Sequence, residues 1–207
     1  VNKKPNPMLT GNPVLLVIDI QKGCFLPYKP SATMPFMPDS TERYARARKI
    51  VDCARDNDIP IVFIQEIHHK SKLDYGRELD GNENIHCLDG AAGTPLAYEE
   101  MGIRDDDFII QKQRYSAFFG TGLEIMLKAF KADTLIMVGG FTDVCVHYSF
   151  VDGHQHDYHC RVVEDCTAGS SPEAHQASLV AMEYLQHGAI CHSDAMLAAM
   201  ALHSNKD

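Results

Sequence analysis

The chain has 207 residues, 45% of them hydrophobic and 23% charged, with a formal net charge of -9. That length predicts one domain with a full-sized core, and an acidic balance with no basic run argues against nucleic acid or an anionic membrane surface as a partner. No apolar stretch is long enough to cross a bilayer, and seven scattered cysteines without a CxxC pair fit a reducing, cytoplasmic setting better than a disulfide framework.

In chain order, VNKKPNPMLTGNP (residues 1–13) is polar and proline-bearing and reads as a loose arm. Val14 to Asp19, VLLVID, is an apolar run ending in an acid, the pattern of a central parallel strand that delivers Asp19 to its C-terminal edge. Pro27, Pro30, Pro35 and Pro38 interrupt any helix in the segment that follows. Tyr44, Ala47, Ile50, Val51 and Ala54 mark a helix over 39–58 with Asp39 or Ser40 as its cap, and its arginines read as a solvated face. IPIVFIQE (59–66) is a second strand, and 67–93 is irregular and polar, a length of loop that is usually functional. Phe108 opens a third strand ending at Gln111-Lys112, and Leu123 to Ala132 is a helix.

Leu135 to Val138 is a buried strand that stops at Gly139-Gly140. Thr142 and Asp143 offer cap oxygens to the helix beginning near Val146, which puts Cys145 in a first helical turn. There the helix dipole is expected to lower the thiol pKa. A strand at 160–164, a loop at 165–171, a helix from Pro172 to Gln186, a short strand at 189–192 and a helix from Ser193 to Leu202 complete the chain. Alternating strands and helices predict an α/β, three-layer Rossmann-like fold with a parallel sheet covered on both faces.

Asp19, Lys112 and Cys145 each fall at or just past a strand end. If those strands are neighbours, the acid can accept the thiol proton, the lysine can hold the pair, and the cysteine can attack a carbonyl. The plainer alternative is a surface lysine and a buried small hydrophobe.

LLVIDIQKGCF around Asp19, QKQRYSAFFGTGL after Lys112 and GGFTDVCVHYSFVDG around Cys145 resemble the isochorismatase-like cysteine hydrolases. Relatives of nicotinamidase, N-carbamoylsarcosine amidase, biuret hydrolase and ureidoacrylate amidohydrolase belong there. The resemblance implies a roughly six-stranded parallel sheet and an Asp-Lys-Cys triad on Asp19, Lys112 and Cys145. It implies a thioester acyl-enzyme formed as ammonia leaves, and a cis peptide between Gly140 and Phe141. The Phe141 and Cys145 amides would then form an oxyanion hole. It also implies a homodimer or homotetramer acting on a small amide or ureido compound. A metal-containing nicotinamidase and a non-catalytic binding scaffold are the alternatives.

Nicotinamidases of that family hold a metal with an Asp-x-His pair and a later histidine. The matching residues here are Glu66, His68 and His86, with Glu in place of Asp. Zinc or iron suits such ligands, whereas the triad chemistry itself requires no cofactor. The alternative is that these are polar loop residues. His154, His156 and His159 do not share one helix face and read as a solvated helix end. For substrate, Phe25, Tyr115, Phe118 and Phe119 are expected to rim the crevice, Gln21 and Gln113 to hydrogen-bond an amide, and Arg77 or Arg114 to meet a carboxylate.

Overall fold

The computed structural model describes residues 6–26 and 37–203. Six strands form one sheet: β1 (Asn12–Ile18), β2 (Ile61–Glu66), β3 (Phe108–Lys112), β4 (Ala132–Gly140), β5 (His159–Ala168) and β6 (Ile190–Cys191). All pairings are parallel, in the order β3-β2-β1-β4-β5-β6. The helices are α1 (Ser40–Asp56), α2 (Tyr98–Met101), α3 (Leu123–Ala129), α4 (His147–Gln155), α5 (Pro172–Leu185) and α6 (Ser193–His203).

Strand β1 shows why its run is apolar throughout. Leu15 and Val17 pack on the face covered by Tyr44, Ile50 and Val51 of α1 and Met196 and Met200 of α6. Val14, Leu16 and Ile18 pack on the opposite face with Leu123 and Leu127 of α3, Phe150 of α4 and Leu179 of α5. A strand covered on both sides has no polar face to alternate with. From β1 the chain steps outward to β2 and β3, then returns to β4 on the other side of β1 and steps outward again. The direction reverses between β1 and β4, and ligands of open parallel sheets bind at that reversal, beyond the strands' C-terminal ends.

Three expectations are corrected here: the loose arm, the end of the fifth strand and the solvated arginine face of α1. The described part of the N-terminal arm is anchored, because the Arg161 side chain is buried and must find acceptors. It donates to the carbonyls of Met8 and Pro7, while Thr10 and Thr134 exchange hydrogen bonds of 3.0 and 2.7 Å. Strand β5 runs on to Ala168 instead of ending at Glu164, pairing Gly139 with Thr167 and Gly140 with Ala168. The arginines of α1 also hold this edge: Arg43 donates to the carbonyls of Glu164 and Thr167, and Arg46 to that of Asp165. Pro27, Pro30 and Pro35 lie outside the described residues.

Candidate active site

Asp19, Lys112 and Cys145 meet in space, although their strands are not all neighbours. β1 and β4 are adjacent, but β3 lies at the sheet edge with β2 between it and β1. Lys112 bridges that gap. Its Nζ lies 2.9 Å from Asp19 Oδ2, 2.8 Å from Glu66 Oε2 and 3.3 Å from Cys145 Sγ. Glu66 is the β2 residue in register with Lys112, so it occupies the position between lysine and acid. Its Oε2 also accepts from Cys145 Sγ at 3.6 Å. Asp19 leaves β1 with φ 53, a left-handed conformation that a bulky residue resists and aspartate tolerates.

The charges follow from this packing. Burial opposes charge on Lys112, but Asp19, Cys145 and Glu66 around it outweigh burial and hold the ammonium protonated. Burial likewise favours neutral Glu66, yet Lys112, His68 and His86 keep its carboxyl well below the usual range. Asp19 is raised to about 6, chiefly by burial, with Lys112 pulling it back and Glu66 pushing it up. Burial lifts the Cys145 thiol well above its ordinary value; Lys112 lowers it, while Asp19 and Glu66 raise it further. This corrects the expectation of a depressed thiol pKa. Two carboxylates and burial outweigh a helix terminus, so the resting group is a protonated thiol with bases beside it.

The cysteine stands in a π-helical turn, Thr142–Val146, that leads into α4. Neither Thr142 nor Asp143 caps it. Thr142 Oγ1 pairs with His175 Nδ1 at 2.8 Å, and the Asp143 carboxylate accepts from Ser170 N and Oγ. Both side chains tie the turn to α5 and the segment before it. The peptide Gly140-Phe141 is cis. Gly139 has φ +119, and a Cβ there would run into the Ile18 carbonyl; one at Gly140 would strike the Tyr44 hydroxyl. Glycine is what allows β1, β4 and α1 to approach so closely beneath the cysteine.

A second buried cluster adjoins the first. Glu66, His68, Glu78 and His86 each present one donor atom, all within 4.8 Å of one another. His86 Nε2 hydrogen-bonds Glu66 Oε1 at 2.8 Å. Burial opposes charge on His86, but Glu66 and Glu78 outweigh it and push its pKa to about 10. That proton serves one contact. Both nitrogens of His68 and both oxygens of Glu78 are buried without a hydrogen bond, a costly state for groups of this polarity. Four inward nitrogen and oxygen donors suit a divalent transition metal such as zinc or iron. Glu78 was not visible in the sequence: it lies in a 3-10 turn, Glu78–Asp80, inside the irregular stretch. His154, His156 and His159 belong to no such group among the described residues; His154 pairs with Gln186 and His156 stacks on Phe118.

The rim residues divide. Gln21 is spent on the backbone, donating to the Glu66 and Thr94 carbonyls and accepting from Glu66 N. Arg114 donates through Nη1 to the carbonyls of Asp74 and Gln113, which anchors the 67–93 stretch. Phe118 packs on His156 and Tyr158, and Arg77 is exposed and paired with Asp80. Polar groups on a buried loop meet backbone partners first. Phe25 lies against Tyr44, whose hydroxyl feels Cys24, Asp19 and Cys145. Tyr115 rests on Tyr148, reaches Glu83 Oε2 at 3.3 Å and is within electrostatic range of Cys145.

Comparison with known proteins fits this geometry. A maleamate amidohydrolase of Pseudomonas putida is 27% identical over 190 residues, 89% of this chain and 85% of that protein. The structure of an isochorismatase-like hydrolase from Alkaliphilus metalliredigens superposes with a TM-score of 0.79 at 26% identity, covering 91% of this chain and 99% of that one. The fold also matches that of the pyrazinamidase of Pyrococcus horikoshii in complex with zinc, with a TM-score of 0.73 at 21% identity over 88% of this chain and 99% of that one. The isochorismatase domain model matches residues 13–195. The chain belongs to the isochorismatase-like hydrolase family.

Proposed function

We propose that this protein is a cysteine-dependent amidohydrolase that cleaves a C–N bond of a small amide or ureido compound. The observation that carries the reading is the contact of one buried lysine with both an aspartate and a cysteine at the sheet's reversal point. Asp19, a stronger base than an ordinary aspartate, takes the Cys145 proton as Sγ attacks the carbonyl carbon. Lys112 keeps its charge throughout and offsets the negative charge that moves between the two. Amides of Phe141 and Cys145 receive the carbonyl oxygen as it becomes an oxyanion. Collapse breaks the C–N bond, the nitrogen leaves with the proton from Asp19, and a thioester remains. Water then attacks the thioester, giving its proton to Asp19, which returns it to the departing sulfur. Phe25 and Tyr115 wall the substrate. Similarity to a maleamate amidohydrolase supports a small amide substrate, and a scaffold protein has no need of acid, lysine and thiol in contact.

An ammonia-release screen over maleamate, ureidoacrylate, nicotinamide, biuret and N-carbamoyl amino acids identifies the substrate. Cys145→Ala should lower turnover by about 10⁴-fold or more and leave the midpoint of unfolding nearly unchanged. Activity that survives in this variant would remove the cysteine from the mechanism.

The four buried donors favour a second element of the reading, a bound zinc or iron ion held by Glu66, His68, Glu78 and His86. When bound it supplies a fixed positive charge beside the triad. Metal analysis of the purified protein tests it separately from activity.

A further inference from the structure

We infer that Glu83, Tyr115 and Tyr148 form the subsite for the end of the substrate away from the scissile bond. This corner selects an end bearing N–H donors, a protonated amine above all, over a carboxylate. The inference deepens the amidohydrolase reading and rests on it.

The corner is built outward from the catalytic residues. Tyr115 stands three residues past Lys112, in the loop that leaves β3, and Tyr148 three residues past Cys145, in the first turn of α4. Side chains three positions apart in a helical turn are neighbours on its surface. The two rings meet with their centroids 5.6 Å apart, tilted by 36°. Tyr115 packs against the apolar group that includes Cys145, while Tyr148 is 54% exposed. The pair therefore reaches from the surroundings of the thiol to solvent. The 67–93 stretch supplies the third member: Tyr115 Oη donates to Glu83 Oε2 at 3.3 Å.

Burial raises the Glu83 carboxyl; His86 opposes this, while Glu78 and Glu66 raise it further. Burial, then Glu83 and Glu78, also raise the Tyr115 phenol, so it stays a neutral donor. That phenol fills one acceptor site of a carboxylate that offers about four. A half-buried carboxylate held against two apposed aromatic rings is the chemistry that recognises ammonium and N–H groups. The same carboxylate repels another one. Of the arginines expected to meet a carboxylate, Arg77 is exposed and paired with Asp80. Arg114 lies against Gly76, with Nη1 on the carbonyls of Asp74 and Gln113.

The test measures binding to Cys145→Ala protein as purified, so no turnover is needed. Three amides share one length and differ at the far end: succinamate carries a carboxylate, succinamide an amide and 4-aminobutanamide an ammonium. Each is also used in a form two carbons longer. Titrations followed by calorimetry or NMR should rank ammonium above amide above carboxylate in at least one length, with about tenfold or more between the extremes. Glu83→Gln in the same background should bring the extremes within about threefold. Tyr148→Leu keeps the carboxylate and should weaken the ammonium probe about threefold. A carboxylate bound as well as the ammonium at both lengths, or no binding of any probe, would overturn the subsite. So would a ranking that survives Glu83→Gln, or an ammonium probe unmoved by Tyr148→Leu. The ranking in the Cys145→Ala background needs no change at Glu83, so a misfolded Glu83→Gln leaves the question decidable. Ammonia release by the parent enzyme is read separately, and its failure would fall on the amidohydrolase reading itself.

Discussion

On one side of Glu66, a single buried ammonium sits among two carboxylates and a thiol, and hydrogen bonds or ion pairs join them at 2.8–3.6 Å. On the other side, two histidines and a second glutamate face the same carboxylate, yet the His68 and Glu78 side chains make no hydrogen bond and stand 3.5–3.7 Å from their partners. Both groups are largely buried, so desolvation weighs on each. The difference lies in the supply of positive charge. Lys112 brings its own cation into the first cluster, while the second has only what a proton on His86 provides. A buried anion pair with a resident cation can run proton transfers without outside help; one without it is where the bound ion of the proposed reading would supply the charge.

Removing the resident cation is the most severe way to break this contrast. Lys112→Met leaves Asp19 and Glu66 buried without their partner, and breaking a buried pair in this way costs about 3–5 kcal/mol. Urea denaturation should show a loss of that order, with turnover falling at least about 100-fold. A variant within about 1 kcal/mol of the parent would mean that the carboxylates are already neutral and that the lysine does not organise the site. Glu66 sharpens the contrast instead of breaking it. Glu66→Asp keeps the charge but shortens the arm, and Glu66→Gln keeps the arm but loses the charge. If one carboxylate serves both clusters by reach, Glu66→Asp should lower zinc affinity and turnover together, each by about tenfold or more. A loss confined to Glu66→Gln would show that charge alone matters.

The sequence revealed much of this and concealed specific parts. Asp19, Lys112 and Cys145 are legible because each ends or follows an apolar strand, and strand ends converge in a parallel sheet whatever the loops do. The six strands were legible for the same reason, since runs such as VLLVID are buried on both faces and need no alternation. Glu78 was hidden because an irregular stretch has no period that says which side chains turn inward. Gln21 and Arg114 show what a sequence leaves out: polar residues near a crevice look alike until their backbone partners, 45 and 40 residues away, are in place. Thr142 and Asp143 carried the composition of helix caps, yet their partners are His175 and Ser170, 33 and 27 residues downstream. The thiol pKa was misjudged for a related reason. A helix end can be read locally, whereas the carboxylates that outweigh it arrive from β1 and β2.

The smallest effect concerns a third buried group, one that carries no charge and supports the cysteine turn from below. His175 accepts or donates to Thr142 through Nδ1, and burial, followed by the nearby Arg43, lowers its pKa. The neutral ring is therefore the form that fits the fold. Below about pH 6.5 the unfolded chain takes up a proton that the native ring resists, so the unfolded state binds more protons and stability falls as pH drops. Above that value both states hold a neutral ring and the contribution is flat. Melting temperature measured from pH 5 to 8 should decline on the acid side in the parent. His175→Gln, which keeps a polar group near Thr142 but cannot be charged in this range, should decline less. If the two curves run parallel, the acid-side loss belongs to other groups and the ring at Thr142 is protonated in the fold. A shallower variant curve would show that the turn carrying Cys145 is held by a neutral hydrogen bond, which keeps a further cation away from the one that Lys112 already supplies.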